Sequence, residues 1–139
     1  MNINGMRAGL LGLTLLLAVP AQADNVVVIG HSQLPKLNAV ALRKLYTGRS
    51  TEVNGAPVIV VNALPGSPVR NRFLSTYVDQ DDERYVAYWT VRRFIGKGLP
   101  PKEMDSAAAV IEFVQKTPGA IGYIDAAELR PGLNVLARQ

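Results

Sequence analysis

The feature that most constrains the fold is an apolar run at residues 25–30, Asn-Val-Val-Val-Ile-Gly, in which apolar and polar side chains do not alternate. A strand with one face in water alternates, whereas a strand covered on both faces is apolar throughout. The run therefore predicts a central strand with helices on both sides. Further strands are predicted at residues 57–61, 120–124 and 133–136.

Helical patterns lie between these strands, at residues 38–46, from 68, from 82 to about 95, and from 107. The third begins in an acidic run at residues 81–83, where negative charge stabilises a helix N-terminus. Its aromatic residues, Tyr85, Tyr88, Trp89 and Phe94, are predicted to pack in the core. Strands interleaved with helices predict an α/β fold with a mostly parallel sheet and flanking helices.

Residues 1–23 have the order of a secretory signal peptide, with Arg7, an apolar run at 9–19 and the small-residue site Ala21-Gln22-Ala23. As a helix, that run covers only about half of a bilayer core of about 30 Å, so cleavage after Ala23 is expected rather than an uncleaved anchor. Residues 24–139 then form one domain. The absence of cysteine means that packing alone must stabilise it.

The charge balance is mildly basic, with 15 Lys and Arg against 11 Asp and Glu. The basic residues are scattered, which is typical of a solvated surface and gives no indication of nucleic acid as a partner. A small anion is compatible with this charge but is not required by it.

One segment has the chemistry of an anion site. Residues 63–73 lead from a predicted strand through Gly66 into a helix, whose first amides and dipole favour an anion. Ser67 adds a hydroxyl, and Arg70 or Arg72 adds donors that suit phosphate or sulfate oxygens. The alternative is that Ser67 only caps the helix and both arginines face solvent.

His31 and Ser32 follow the first predicted strand, where they are expected at most to form the rim of a ligand site. A single histidine without cysteine does not supply the ligands of an ordinary zinc site. The sequence also has no nucleophile elbow, zinc-protease motif or phosphate loop. Catalytic residues, metal ligands and a cofactor are therefore not predicted, and the expectation is that the protein is not an enzyme.

Several segments, taken in order, resemble the periplasmic phosphate-binding proteins of phosphate ABC transporters. The most specific is Thr-Pro-Gly-Ala-Ile-Gly-Tyr, in which the proline stops a helix, one glycine turns the chain and the other permits close backbone approach. The segments are residues 42–48, 54–58, 66–73, 89–101 and 117–123.

The resemblance implies a periplasmic location and a single lobe of the type II periplasmic-binding-protein fold, at residues 24–139. Family members bury their anion between two lobes, using backbone amides, hydroxyls and an arginine. In this chain Pro68 and Val69 replace two donors of the family loop, and only Ser67 carries over directly. Arg70 is our own candidate for the missing arginine.

Two functions follow as hypotheses. The first is a substrate-binding-protein-like module that binds phosphate or a similar small oxyanion through Gly66, Ser67 and Arg70, with His31 and Ser32 as rim. The second is a periplasmic accessory protein that has lost its ligand and binds another protein. An ABC permease, another envelope protein and a second copy of the chain are all left open as partners.

Overall fold

A computed structural model describes residue 9, residues 12–17 and residues 25–139. The expected cleavage site after Ala23 and most of the predicted signal peptide lie outside the described residues, so the signal remains a prediction. Within the described residues, no helix combines the length and the apolar character needed to cross a membrane.

The predicted elements form with small shifts. Helix α1 (Ala39–Tyr46) begins directly after Asn38, whose side chain accepts a hydrogen bond from Ala41 N. Helix α4 (Ala107–Lys116) begins directly after Ser106, whose hydroxyl accepts from Ala109 N. A short strand that the sequence did not predict, β5 (Lys102–Met104), follows the glycine- and proline-rich loop after α3 (Asp82–Phe94). Within residues 25–139, the strands are Val26–Gly30 (β1), Glu52–Val53 (β2), Ala56–Pro57 (β3), Ile59–Ala63 (β4), Lys102–Met104 (β5), Ala120–Asp125 (β6) and Asn134–Arg138 (β7), and the helices are Ala39–Tyr46 (α1), Pro68–Phe73 (α2), Asp82–Phe94 (α3) and Ala107–Lys116 (α4), with a π-helical turn at Leu74–Val78 and a 3-10 turn at Ala126–Glu128.

The main sheet has five strands in the order β5-β4-β6-β1-β7. The α/β fold with flanking helices is confirmed, but the sheet is mixed rather than mostly parallel. Strand β4 is parallel to β5 and β6, whereas β1 is antiparallel to β6 and β7. Burial on both faces makes a strand apolar whatever the direction of its neighbours. The apolar run therefore predicted that both faces are covered, and it carried no information about whether the neighbouring strands are parallel or antiparallel.

The two faces of β1 belong to two separate apolar clusters. Val26 and Val28 pack on the side of α1 and α3, and Val27 and Ile29 pack on the side of α4. All four side chains are at most 4% exposed. The predicted coverage of this strand on both faces is therefore confirmed.

Gly122 lets α4 approach the sheet closely. A Cβ atom at this position would lie 2.6 Å from Val110 Cγ1, which no packed side chain tolerates. Gly119 turns the chain into β6 with φ +77°. These are the two roles that the sequence predicted for the glycines of the Thr-Pro-Gly-Ala-Ile-Gly-Tyr segment.

Helix α3 packs as predicted at Tyr85 and Trp89, which are buried. Phe94 departs from the prediction, because its side chain is 90% exposed. Five residues along a helix turn the chain by about 140°, so Phe94 faces away from the core that Trp89 enters.

Candidate functional site

The candidate loop lies where the sequence predicted it, between the end of β4 and the start of α2. Gly66 adopts φ +76°, and Pro68 is the first helical residue. Ser67 occupies the N-cap position, but its hydroxyl donates to the carbonyl oxygen of Leu64 at 2.7 Å and makes no hydrogen bond to a helix amide. The serine therefore tightens the turn instead of capping the helix.

The alternative interpretation of this loop requires Arg70 to face solvent. In the structure Arg70 is buried, with 3% of its surface exposed. Its Nε and Nη2 atoms lie 2.8 and 2.7 Å from Oδ1 of Asp82. Nη1 donates to the carbonyl oxygen of Ala63 at 3.2 Å, and the guanidinium lies over the ring of Tyr85, 5.4 Å from its centroid. Most of the donor capacity of this guanidinium is thus used inside the protein.

The carboxylate of Asp82 joins the two elements of the site. While Oδ1 accepts from Arg70, Oδ2 accepts from the backbone N–H of Gly66 at 2.6 Å. An amide donor and an arginine that converge on one anionic group form an oxyanion cradle. In this structure the anion in that cradle is the protein's own side chain, from the first residue of α3.

A buried network of polar side chains holds the last two residues of β4, Asn62 and Ala63, on the core side of the loop. Tyr123 donates its hydroxyl to Oδ1 of Asn62 at 3.0 Å and accepts from the N–H of Ala63 at 3.0 Å. Asn62 Nδ2 donates to the hydroxyl of Tyr85 at 3.1 Å, and Tyr85 donates to the carbonyl of Tyr46 at 2.8 Å. The network holds Ala63, whose carbonyl oxygen accepts from Arg70, in a single position.

The phenols of this network are held in their neutral form. Burial raises the pKa of Tyr46 well above its ordinary value, and the nearby phenols of Tyr123 and Tyr85 add to that rise. Burial likewise raises the pKa of Tyr85 and of Tyr123. All three groups therefore act as hydrogen-bonding groups and not as acids near neutral pH.

A crevice of about 250 Å³ opens beside the loop, between the starts of α2 and α4. Ser67 and Ser106 line it, together with the carboxylates of Asp105, Asp125 and Glu128. Asp125 pairs with Arg72, which leaves two acidic side chains on the lining without an ion pair among the described residues. This lining carries more negative charge than an anion site favours.

The structure does not bring His31 and Ser32 to the loop. The backbone N–H of His31 donates to the carbonyl of Ala120, at the start of β6, because β1 is antiparallel to β6. The loop at Gly66 follows β4, which is parallel to β6, and so lies at the other end of the strands. With about 3.3 Å per residue, the two ends of a five-residue strand are about 16 Å apart.

No protein-family model matches the chain, and neither does any curated protein sequence. Solved structures do match. A putative phosphate ABC transporter substrate-binding protein from Clostridium perfringens, with bound phosphate, aligns with a TM-score of 0.64 and 23% identity over 81% of this chain and 44% of its own. This chain has the fold of one lobe of such a protein.

Two further solved structures each contain a part with this fold. An ABC-type phosphate transport receptor from Vibrio cholerae has a TM-score of 0.60 and 15% identity, over 81% of this chain and 45% of its own. PstS from Borrelia burgdorferi has a TM-score of 0.60 and 19% identity, over 82% and 47%. The chain therefore spans less than half the length of the proteins that it matches.

Sequence reasoning missed the residues that complete the site of this single lobe. It assigned Asp82 only to the helix start, a role that Asp81 performs by accepting from Arg84 N at 2.8 Å. Tyr85 and Tyr123 are predicted in a helix and a strand without a polar role, and Asn62 falls directly after the predicted strand 57–61. No local signal marks these pairings, since Asp82 is 12 residues from Arg70 and Tyr123 is 61 residues from Asn62.

Proposed function

We propose that this chain is an exported, non-catalytic binding module that retains one substrate-binding lobe but has closed its oxyanion loop. In this proposal the protein acts in the periplasm through contacts with other proteins. Phosphate is not its ligand. The predicted signal peptide and the likeness to transport binding proteins support the location.

The observation that carries the proposal is the placement of Asp82. A free phosphate that used Gly66 N and Arg70 would have to displace a carboxylate that already accepts from both, at 2.6 to 2.8 Å. That carboxylate is tethered to the same chain, so it competes at a high effective concentration.

The surroundings of the loop support the same conclusion. Pro68 has no N–H to donate, and the hydroxyl of Ser67 is engaged by Leu64. The neighbouring crevice carries Asp105 and Glu128, which repel an incoming anion. The chain spans less than half the length of its structural relatives and has the fold of one of their lobes.

Titration calorimetry with phosphate and with sulfate tests this proposal. The native protein should give no binding heat at millimolar anion, whereas Asp82→Ala should gain millimolar binding because the cradle becomes vacant. Asp81→Ala is the matched control, since it removes the neighbouring carboxylate, which does not touch the loop, and should gain nothing. Phosphate binding by the native protein that is lost in Arg70→Ala would contradict the proposal.

The partner function needs a separate experiment. In vivo photo-crosslinking in the periplasm should give one stoichiometric envelope protein, with a yield that phosphate does not change. An absence of adducts from probes spread over the surface would contradict a function through protein contacts.

One observation favours a second candidate, a receptor for phosphate or a similar oxyanion. The N–H of Gly66 and the guanidinium of Arg70 converge on a single carboxylate, so the geometry of an oxyanion cradle is present. A structural match from Clostridium perfringens contains bound phosphate. This candidate predicts that the native protein binds phosphate and that Arg70→Ala and Ser67→Ala weaken the binding.

A further inference from the structure

Helix α3 has a weakly polar stripe on its outer face, in which Thr90 is the one polar residue and donates its hydroxyl to the carbonyl of Val86. Ala87, Thr90, Val91 and Phe94 follow the i, i+3, i+4, i+7 spacing of one helix face, and all four are exposed. The exposed fraction is 59% for Val91 and 90% for Phe94. The opposite face buries Tyr85 and Trp89 in the core. A helix with few polar residues on either of two faces is normally covered on both.

The same helix is polarised in charge. The acidic run 81–83 stands at its start, with Arg84 as the one basic residue there. Arg92, Arg93 and Lys97 stand at its end, and the sequence has no acidic residue from 84 to 102. Within residues 25–139, Glu83, Arg93 and Lys97 form no ion pair, so their charges are free to meet a partner.

We propose that this face of α3 is the interface of a homodimer, in which the α3 helices of two copies pack antiparallel across a two-fold axis. Antiparallel packing places the acidic start of each helix against the basic end of the other, and the weakly polar stripe against its own copy. A two-fold interface is self-complementary, as this pattern requires. An anionic lipid surface fits less well, because Glu83 lies at one end of the same face.

The expected dimer is weak and sensitive to salt. A specific interface usually buries about 800 Å² on each partner, and a single helix face supplies only part of that area. The end-to-end charge pairs are exposed to solvent and are therefore screened at high ionic strength. Association in the micromolar range is expected. The inference concerns the outer face of α3 and does not depend on the state of the loop at Gly66.

Sedimentation equilibrium over a range of protein concentrations tests the proposal. The mass should rise from that of a monomer to that of a dimer as the concentration approaches about 100 μM, which suits a micromolar Kd. Phe94→Glu should remain monomeric with an unchanged Tm, because its side chain is 90% exposed. Val40→Glu, at a 63% exposed apolar position on α1, is the matched control and should dimerise normally.

Charge exchange separates an interface from a general effect on solubility. Glu83→Lys and Lys97→Glu should each weaken self-association at least tenfold, because an antiparallel pair centred near residue 90 sets residue 83 against residue 97 and each change places like charges together twice in the dimer. A mixture of the two variants should restore a dimer, since both facing pairs then have opposite charges. A native protein that stays monomeric at about 100 μM, or a mixture that gains no mass, would overturn the proposal.

Discussion

Arg70 and Asp82 form a largely buried ion pair, with 2.7 Å between Nη2 and Oδ1 and side-chain exposures of 3% and 18%. The pair joins the first turn of α2 to the first residue of α3, and the second carboxylate oxygen holds the Gly66 amide. The carboxylate of Asp82 therefore holds the loop and links the N-terminal ends of α2 and α3.

The two arginines of α2 should contribute unequally to stability. Removing one partner of a buried pair costs about 3–5 kcal/mol, and the partial exposure of Asp82 reduces this to about 2–4 kcal/mol for Arg70→Ala. Arg72 and Asp125 are 29% and 32% exposed, so Arg72→Ala should cost less than about 1 kcal/mol. Urea denaturation of both variants, with unchanged m values, measures the difference.

Equal losses from the two substitutions would contradict this ranking. Such a result would mean that the ion pair of Arg70 contributes no more to the free energy of unfolding than a surface pair does. Arg70→Met separates charge from packing, because it keeps most of the side-chain volume and should still destabilise the protein by leaving the carboxylate of Asp82 without its cation.

Tyr123→Phe tests the network below the loop. The substitution removes the hydroxyl that bonds both Ala63 N and Asn62 Oδ1, and it leaves those two buried groups without a partner. We expect a loss of about 1–3 kcal/mol in the free energy of unfolding. Hydrogen exchange should also show faster opening at Ala63 than in the native protein, and unchanged exchange there would count against the assigned bond.

Alkaline pH should destabilise the protein through the buried phenols. The pKa of Tyr46, Tyr85 and Tyr123 is raised in the folded state from the ordinary value of 10.0. Above that value the unfolded chain loses protons that the folded chain keeps. The contribution of these phenols to the free energy of unfolding is therefore fully present below about pH 10. Between that pH and the raised pKa of the folded state, the free energy of unfolding falls by about 1.4 kcal/mol per pH unit for each such tyrosine.

Urea denaturation between neutral pH and about pH 11.5 measures this slope. Tyr85→Phe provides the comparison. Because it removes one of the buried phenols, it should reduce the number of protons released on unfolding by about one, and the slope in proportion. A native protein with constant stability across this range would contradict the assignment of these phenols as buried and neutral.

Gly122→Ala tests the contact between α4 and the sheet. The added methyl would lie 2.6 Å from Val110 Cγ1 and 3.1 Å from Val61 Cγ2, so we expect a loss of about 1–3 kcal/mol from overpacking. Val110→Ala should relieve part of that strain. The double variant should then be more stable than the sum of the two single effects predicts, and strict additivity would rule out the contact.

The elements were predictable where local physics decides them. The caps at Asn38, Asp81 and Ser106 and the turn at residues 54–55 depend only on nearby residues, because each capping side chain accepts from the backbone N–H three residues on. Strand β5 was not predictable, because Lys102 to Met104 have no apolar pattern and form a strand only through pairing with β4.

The candidate site was predictable only in part. Gly66, Ser67 and Arg70 come together because they are neighbours in sequence at a strand-to-helix turn. His31 and Ser32 do not join them, because the direction of β1 depends on its pairing with distant strands. Phe94 was expected in the core on its aromatic character, but the rotation of α3 places it outside.

The sequence by itself determined the α/β class, the coverage of β1 on both faces and the position of the glycine turn before α2, because periodicity and backbone preference are local properties. Only the tertiary structure decided that the sheet is mixed, that Arg70 is buried and that Asp82 occupies the cradle. Strand direction and charge pairing depend on contacts between residues far apart in the chain, and no local pattern encodes those contacts.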